Sequence, residues 1–320
     1  MTKEDLRIVF FGTPDFAVES LRRLVEGGYN IVGVVTMPDK IAGRGHRMIQ
    51  SAVKQYAVEQ GLYLMQPDKL KDEAFVSELR SLNAQLHIVI AFRMLPEVVW
   101  AMPPLGTFNL HASLLPKYRG AAPINWAVMN GDTVTGVTTF FLKHEIDTGD
   151  VIQQKAIEIG RTDNVEVVHD KLMLLGADMV LETVDAIIAG TVEPIPQLEM
   201  LDGELPTPAP KIFTETCRID WNRPAEELYN HIRGLSPYPA AWSELVDEQG
   251  NTHHVKIFAT TEPIPKTEPL PGTITADGKH LIVDCADGAL EILSLQLSGK
   301  RRMPAPDFMR GFPLAGYHFT

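Results

Sequence analysis

Short apolar runs alternate with amphipathic segments through the first half of the chain, and this alternation constrains the fold more than any other feature. The predicted elements are, in chain order, a strand at 6–11, a helix at 15–27, a strand at 30–36, helices near 51–60 and 70–82, and strands at 86–92 and 106–111. Such alternation is typical of βαβ units. It predicts an α/β domain built on a doubly wound, mostly parallel sheet.

The second half of the chain follows different patterns. Apolar residues recur at helical spacing over 164–189 and the pattern stops at Gly190, which predicts one long closing helix. A proline-rich segment comes next and is predicted to be a linker. The remaining predicted elements are a helical stretch near 224–234 and brief strands at 241–246, 254–259, 272–275, 280–284 and 289–295. This spacing predicts a small β-barrel.

The length of the chain favours two domains. Its 320 residues exceed the roughly 250 to 300 at which a single core stops growing. From the patterns above, we predict a first domain over 1–190, a linker over 191–207 and a second domain over 208–320.

Charge and cysteine content exclude several classes of protein. The 29 Lys+Arg and 41 Asp+Glu residues give a net charge of −12, which argues against nonspecific coating of nucleic acid but leaves room for a local basic patch. Cys217 and Cys285 form no C-x-x-C pair and cannot build a disulfide framework or a four-thiolate zinc site. No segment reads as a signal peptide or a membrane helix, so we expect a cytoplasmic protein.

Motifs for nucleotide and metal chemistry are missing from the sequence. Gly12 follows the first strand but lacks the spaced glycines of a dinucleotide fingerprint. The chain has no G-x-x-x-x-G-K-[ST] pattern and no H-E-x-x-H pattern, and the pairs His144-Glu145 and His253-His254 have no companion at metal-ligand spacing. We therefore expect neither a dinucleotide nor a metal ion.

Asn109-Leu110-His111, at the end of a predicted strand, is the strongest local signal. Residues i and i+2 of a strand project to one side, so Asn109 and His111 can converge on one reacting atom. An amide donor beside a titratable imidazole suits a reaction in which a carbonyl oxygen becomes negatively charged. Taken alone, the motif is equally compatible with a histidine that merely bonds to a neighbouring loop.

Two further clusters are polar. Asp147 lies in the segment His144 to Asp150, between two apolar runs, where its carboxylate could orient the imidazole; without the Asn-x-His motif, an ordinary hairpin turn would be the preferred interpretation. The segment Asp39 to Arg47 is basic and contains glycines, so it could bind phosphates or be a solvated loop. Lys300 to Arg302 could likewise be a charged hairpin tip.

Six motifs spread over nearly the whole chain form one familiar set. They are Phe11-Gly12-Thr13-Pro14-Asp15-Phe16, Asp39 with Ala42-Gly43-Arg44-Gly45, Asn109-Leu110-His111 through Leu115-Pro116, Arg119-Gly120-Ala121-Ala122-Pro123-Ile124, Asp147-Thr148-Gly149-Asp150, and Arg218-Ile219-Asp220-Trp221. With these motifs the sequence resembles the formyltransferases that use 10-formyltetrahydrofolate. The Gly-Arg-Gly loop and the C-terminal barrel are similar to the tRNA-directed subfamily.

The resemblance implies a Rossmann-like first domain that binds the folate and a smaller, open, OB-like β-barrel that helps to hold tRNA. It implies transfer of the formyl group from 10-formyltetrahydrofolate to the α-amino group of methionine on initiator Met-tRNA, for translation initiation. The implied partners are this tRNA and the folate co-substrate, with no metal and no membrane, and we expect a monomer.

Asn109, His111 and Asp147 match the catalytic triad that the resemblance implies. Asn109 and protonated His111 would donate to the developing oxyanion, while Asp147 would hold His111 and accept the amine proton through water. The amine would attack the formyl carbon directly, because Ser113 and the distant cysteines supply no activated nucleophile pattern.

The resemblance also implies binding residues. Those for the folate are Asp147, Phe92, Arg93, Met94, Leu95, Ser113, Leu114, Leu115 and Pro116. The segment Ala91 to Pro96 departs from the family pattern, because it is one residue shorter and has Arg93 in place of a glycine, although its other side chains keep it apolar. Residues 208–320 carry 11 Lys+Arg against 14 Asp+Glu, so tRNA contact must come from a local patch. The tRNA-binding residues are then Arg44, Arg47, Lys300, Arg301 and Arg302.

Two other functions stay open at this point. One is the same chemistry with a different acceptor amine, such as a sugar nucleotide or a glycinamide ribonucleotide; the additional domain after residue 208 argues against the smallest of these enzymes. The other is a binding module for tRNA or folate without catalysis, which the intact triad argues against. Incubation with 10-formyltetrahydrofolate and either Met-tRNA or small amines separates all three.

Overall fold

The computed structural model describes residues 1–42, 47–201, 203 and 205–320. The chain forms two compact units. The first contains 1–120, 135–157 and 169–208, and the second contains 121–134, 158–168 and 209–320. The chain therefore enters the second unit twice before its final part begins. The division into domains at 190 and 208 stays a prediction.

The helices and strands up to residue 209 follow in chain order. They are β1 (Ile8–Gly12), α1 (Asp15–Glu26), β2 (Ile31–Val35), β3 (Lys40–Ala42), β4 (Arg47–Ile49), α2 (Ala52–Glu59), β5 (Leu64–Met65), α3 (Glu73–Ser81), β6 (Leu86–Ile90), α4 (Glu97–Trp100), β7 (Thr107–His111), β8 (Arg119–Gly120), α5 (Pro123–Met129), β9 (Val134–Phe141), β10 (Val151–Glu158), α6 (Val165–Ala189) and β11 (Pro208–Ala209), with a short 3₁₀ helix at Gln197–Met200.

The remaining elements make up most of the second unit. After a 3₁₀ turn at Glu215–Cys217 they are α7 (Ala225–Leu235), β12 (Ala241–Val246), β13 (Thr252–Thr260), β14 (Ile264–Pro265), β15 (Ile274–Ala276), β16 (Leu281–Asp284), β17 (Gly288–Leu297), β18 (Met303–Pro304), α8 (Ala305–Gly311) and β19 (His318–Phe319).

A seven-stranded sheet forms the centre of the first unit, in the order β10-β9-β7-β6-β1-β2-β5. Strands β5, β2, β1, β6 and β7 pair in parallel, and β9 pairs antiparallel with β7. All five residues of β1 and of β6 are buried, as expected for central strands that are covered on both faces. The predicted doubly wound, mostly parallel sheet is confirmed.

The long helices also lie where hydrophobic periodicity predicted them. Helices α1, α2, α3 and α6 begin and end within three residues of the predicted limits. Side chains fix two of these starts: Ser51 accepts a hydrogen bond from the Lys54 N–H, and Asp72 accepts one from the Ala74 N–H. Among the described residues, no helix is long and apolar enough to cross a membrane.

The second unit contains an antiparallel sheet in the order β15-β16-β17-β13-β12-β19. A bridge between Thr273 and His318 connects its two ends, so the sheet is a nearly closed barrel. At the same junction Gly272 has φ +81°, and a Cβ there would lie 2.2 Å from the Phe319 carbonyl oxygen. Only glycine suits this position. The predicted small, open β-barrel is therefore confirmed.

Two segments from the first half of the chain complete the second unit. The Asn125 amide of α5 donates to the Gly234 carbonyl at 2.9 Å. Helices α5 and α7 approach closely there, since a Cβ on Gly234 would lie 2.5 Å from the Met129 side chain. The segment 158–168 is bound through Arg233, whose guanidinium donates to the Asp163 carbonyl at 2.7 Å. Packing around α7 therefore brings together parts of the chain that are distant in sequence.

Candidate functional site

The candidate site lies where β7 ends, at the edge of the first sheet. Asn109 and His111 point to the same side of this strand, because successive side chains of a strand alternate. Neighbouring strands hold both in register: Asn109 lies opposite Val89 and Phe140, and His111 lies opposite Thr138. The Asn109 amide is half-buried and forms no hydrogen bond with another side chain or backbone group in the part of the chain that the structure describes. It is thus available as a donor to a ligand.

His111 is held by its surroundings and is only 7% exposed. Its Nε2 lies 2.8 Å from the Tyr118 carbonyl oxygen. Since a carbonyl only accepts, Nε2 carries the proton of the neutral ring and Nδ1 is the nitrogen that gains or loses one. Nδ1 lies 3.9 Å from the Asp147 carboxylate. The histidine therefore bonds to a neighbouring loop and also faces an acid, and its catalytic role stays a prediction.

Asp147 lies in the turn between β9 and β10, with its backbone in the left-handed region at φ +54°. Its carboxylate accepts a hydrogen bond of 2.9 Å from the Gly120 N–H. Two residues later Gly149 passes so close to β9 that a Cβ would lie 1.6 Å from the Phe141 carbonyl oxygen. This turn is therefore more constrained than an ordinary hairpin, and its geometry aims the carboxylate at His111.

The predicted folate segment Ser113 to Pro116 is tied to the neighbouring strands. Thr138 donates to the Ser113 carbonyl at 2.6 Å and accepts from the Leu115 N–H at 3.1 Å. Gln154 donates to the Leu115 carbonyl at 2.6 Å. Leu115 is 1% exposed and Ser113 and Pro116 are also buried, whereas Leu114 is partly exposed. Direct contact of this segment with the folate stays a prediction. Leu114 has the most accessible side chain of the four residues.

In the second predicted folate segment, Phe92 to Leu95, the apolar side chains differ in how far they are buried. Phe92 packs edge-on against Phe11, with ring centroids 5.8 Å apart, and Leu95 belongs to the same buried cluster. Met94 is exposed. Arg93 donates to the Pro67 carbonyl and, at 2.7 Å, to the Asp68 carbonyl. The arginine that replaces a family glycine therefore bonds the segment to the chain around residue 67.

The predicted tRNA-binding residues lie in two places. Arg44 lies outside the described residues, and Arg47 is the first residue of β4. Lys300, Arg301 and Arg302 are exposed on the connection between β17 and β18. Arg302 packs over the Phe258 ring at 4.4 Å and donates to Ser294. Lys300 and Arg301 extend from the same connection, and their role in tRNA binding stays a prediction.

Sequence reasoning missed Gln197, which lies in the segment interpreted as a linker. Gln197 is 2% exposed, and its amide donates to the Asp147 carbonyl and to the Gly149 carbonyl, both at 2.8 Å. Its oxygen accepts two hydrogen bonds from the Arg119 guanidinium, at 3.0 and 2.7 Å. No local pattern marks this residue, because its partners lie 48 to 78 positions away.

The site has the polar groups for an acyl-type transfer: an unpaired amide, an imidazole and a carboxylate at one sheet edge. In the ranges that the structure describes, no group of three or more His, Cys, Asp or Glu side chains could hold a metal ion. The amide and the imidazole can donate to a developing oxyanion, and the imidazole and the carboxylate can transfer protons.

Comparison with known proteins gives the family. A family model described as formyl transferase matches residues 6–184, and one described as formyl transferase, C-terminal domain, matches residues 211–313. The chain belongs to the formyl transferase family.

Within this family the chain is similar to enzymes named methionyl-tRNA formyltransferase. That of Bacteroides thetaiotaomicron is 67% identical over 321 residues, covering 99% of both chains, and that of Bacteroides fragilis is 66% identical over 317 residues, covering 98% of this chain and 97% of the other. Among solved structures, HypX from Aquifex aeolicus in complex with tetrahydrofolic acid has a TM-score of 0.62 at 20% identity and shares the fold. It covers 95% of this chain, which spans about half (47%) of the HypX chain.

Proposed function

We propose that this protein transfers the formyl group of 10-formyltetrahydrofolate to the α-amino group of methionine on initiator Met-tRNA. The observation that carries the proposal is the unpaired Asn109 amide beside His111, with the Asp147 carboxylate 3.9 Å from the imidazole. The identity of 62 to 67% with four methionyl-tRNA formyltransferases, over at least 98% of this chain, supports this acceptor.

The reaction exchanges one carbon–nitrogen bond for another. The methionine nitrogen bonds to the formyl carbon, the bond from that carbon to N10 of the folate breaks, one proton leaves the amine and one reaches N10. Negative charge grows on the formyl oxygen during the attack. Asn109 donates to this oxygen, and His111 in its charged form donates to it from Nδ1. Asp147 faces the imidazole at 3.9 Å and accepts the amine proton through water.

In this proposal the folate binds the apolar segment that follows β6, the strand beside β7. Leu95 provides buried and Phe92 partly buried apolar surface, and Met94 adds an exposed side chain between them in the sequence. A flat pterin ring suits such a wall when polar groups at its border fix its orientation. The backbone of 113–116, held by Thr138 and Gln154, supplies further contacts in this proposal.

Recognition of the tRNA requires surface beyond the reaction site. We assign it to Arg44, to Arg47 of β4, and to Lys300, Arg301 and Arg302 on the barrel. Contacts of these cations with phosphates should weaken as salt concentration rises. The proposed activity belongs in the cytoplasm with the translation machinery, and it needs no second copy of the chain.

The proposed chemistry is tested by Asn109→Ala and His111→Ala. Each should lower kcat for Met-tRNA formylation by about 10²- to 10³-fold, because each removes a donor that acts mainly in the transition state. Folate affinity, measured by isothermal titration calorimetry, should change little. His280→Ala, which removes an exposed histidine of the second unit, should leave kcat unaltered. Near-normal turnover in both variants would refute the assigned roles.

A further inference from the structure

We infer that Gln197 is a positioning residue that sets the place of the Asp147 carboxylate and so determines the rate of formyl transfer. The inference rests on the proposed function. Gln197 lies between the two segments that match the formyl transferase models, which end at 184 and begin at 211. It is nevertheless buried within the first unit and bonded to the turn that carries Asp147.

All four hydrogen-bonding positions of the Gln197 amide are used. The oxygen accepts two N–H groups of Arg119, and the nitrogen donates to the carbonyls of Asp147 and Gly149. A side-chain amide has two donors and two acceptor positions, so this set is complete. Charged donors on the oxygen polarise the amide and strengthen the donation from its nitrogen. Arg119 thus strengthens the hydrogen bonds from Gln197 to the turn.

The segment around Gln197 is fixed on the same unit by independent contacts. Ile195 exchanges two backbone hydrogen bonds with Val151, the first residue of β10, at 2.8 and 2.9 Å. Met200 packs against the buried cluster of Leu115, Phe140 and Val151. The segment that carries Gln197 is therefore packed on the first unit, and this packing holds the Gln197 amide next to the carbonyls of Asp147 and Gly149.

The turn needs such support. Asp147 has a left-handed backbone, which costs a residue with a side chain about 1 kcal/mol or more. The Gly120 N–H holds the carboxylate itself, whereas Gln197 holds the two carbonyls of the turn. Without Gln197 the carbonyls of Asp147 and Gly149 lose this donor, and the Gly120 N–H is left to hold the carboxylate. We expect the carboxylate then to move relative to His111. Misplacement of a catalytic group by about 1 Å can cost 10²-fold in rate.

The experiment compares two substitutions of Gln197 with a matched control. Gln197→Leu removes all four hydrogen bonds, and Gln197→Glu keeps an acceptor for Arg119 but removes the donor to the turn. Thr183→Val is the control, because Thr183 is fully buried in the same unit and its hydrogen bonds, with the Thr139 hydroxyl and the Met179 carbonyl, do not involve the turn that carries Asp147. Thermal unfolding measures the structural cost of each change.

We expect both Gln197 variants to lower kcat for Met-tRNA formylation by about 10- to 100-fold, with KM for the folate and for Met-tRNA within about twofold of wild type. Their pH–rate profiles should differ from that of wild type in the same direction as the profile of an Asp147→Asn variant, which removes the carboxylate charge that faces His111. Thr183→Val should lose stability and keep the wild-type kcat and profile. A folded Gln197→Leu with wild-type kcat and profile would overturn the inference, and so would a Thr183→Val variant that loses kcat equally.

An NMR measurement makes the inference independent of the acceptor. The ring resonances of His111 should move in Gln197→Leu in the direction that Asp147→Asn moves them, and should stay unchanged in Thr183→Val. Absence of formyl transfer to Met-tRNA by the wild-type protein would refute the proposed function, while the His111 resonances would still decide whether Gln197 positions Asp147. Unmoved resonances in Gln197→Leu would refute the positioning role.

Discussion

At the scale of single residues, two histidines show how surroundings decide what one side chain can do. His111 lies at a strand end with a carbonyl on one nitrogen and a carboxylate near the other. His87 lies on β6 inside the core of the same unit, fully buried, with its ring 5.2 Å from that of Phe11. Burial lowers the pKa of His87 to about 4. The first histidine has partners for proton transfer, whereas burial keeps the second one neutral.

His87 should therefore make stability depend on pH. In the unfolded chain its pKa is about 6.5, so the folded state binds fewer protons. Its contribution is complete above about pH 6.5 and is lost as the pH falls towards 4, by up to about 3 kcal/mol. Urea unfolding of wild type and of His87→Leu at about pH 7.5 and pH 5 measures this, and the variant should lose about 2 kcal/mol less between the two. Equal losses would contradict the assignment.

The site residues that the sequence revealed belong to a local pattern or a family motif, whereas the residue that it did not reveal has distant partners. Asn109 and His111 are two positions apart on one strand, so strand geometry alone predicts that they face one point. Arg93 is recognisable in the sequence as a departure from the family pattern, but its carbonyl partners at 67 and 68 appear only in the structure. Gln197 belongs to no strand pattern and to no family motif, because its role depends on backbone carbonyls 48 and 50 residues away.

At the scale of elements, polar side chains hold the base of the hairpin formed by β3 and β4. Asp39 accepts from Lys54 at 2.5 Å and from Gln66 at 2.9 Å, which lowers the pKa of the Asp39 carboxyl. Thr36 and Ser51, at the two ends of the intervening segment, are joined by a hydrogen bond of 2.7 Å between their hydroxyls. These bonds tie the base of the hairpin to α2 and to the segment after β5, within the first unit.

We expect this base to support tRNA binding through the hairpin. Lys54→Met and Asp39→Asn should both raise KM for Met-tRNA several-fold, since each removes the charge-assisted hydrogen bond between Lys54 and Asp39 that fixes the base of the hairpin. Folate KM should stay unchanged in both. The measurement is steady-state formylation at varied Met-tRNA and varied folate concentration.

The two substitutions change the charge in opposite directions, which separates positioning from simple attraction. If charge alone governed tRNA binding, Lys54→Met would weaken it and Asp39→Asn would strengthen it. Lys71→Met, which removes an exposed lysine outside this base, controls for the loss of one positive charge. A lowered KM in Asp39→Asn, or equal effects of Lys54→Met and Lys71→Met, would contradict the supporting role.

Elements were predictable from sequence where they are long and periodic. The buried strands of the sheet and helices α1 and α6 follow from hydrophobic spacing alone. Strands β3 and β4 have three residues each, in a basic segment that the sequence described only as a glycine-containing loop. Each of these strands is stabilised by its partner strand and by the hydrogen bonds at the base of the hairpin. Hydrophobic periodicity in so short a segment does not reveal such pairing.

At the scale of the whole molecule, the sequence predicted a sheet domain and a barrel domain. It did not predict which segments of the chain belong to each compact unit. The change from βαβ patterning to short strands marks the barrel in the sequence. The residues 121–134 and 158–168, however, join the second unit through contacts such as the hydrogen bond of Tyr229 with the Arg161 carbonyl, at 3.0 Å. Such contacts link positions 68 residues apart. A truncation after residue 208 would therefore remove the packing partners of both segments.

The central claim is that the Asn109, His111 and Asp147 site formylates methionine attached to initiator tRNA. The most direct test supplies the full-length protein with 10-formyltetrahydrofolate carrying a labelled formyl group, and with Met-tRNA, free methionine, an amino-sugar nucleotide and glycinamide ribonucleotide in parallel. We predict label on the methionine of Met-tRNA, with kcat/KM at least about 100-fold above that for any small amine. Preferred labelling of a small amine, or tight folate binding with no transfer to any acceptor, would contradict the account.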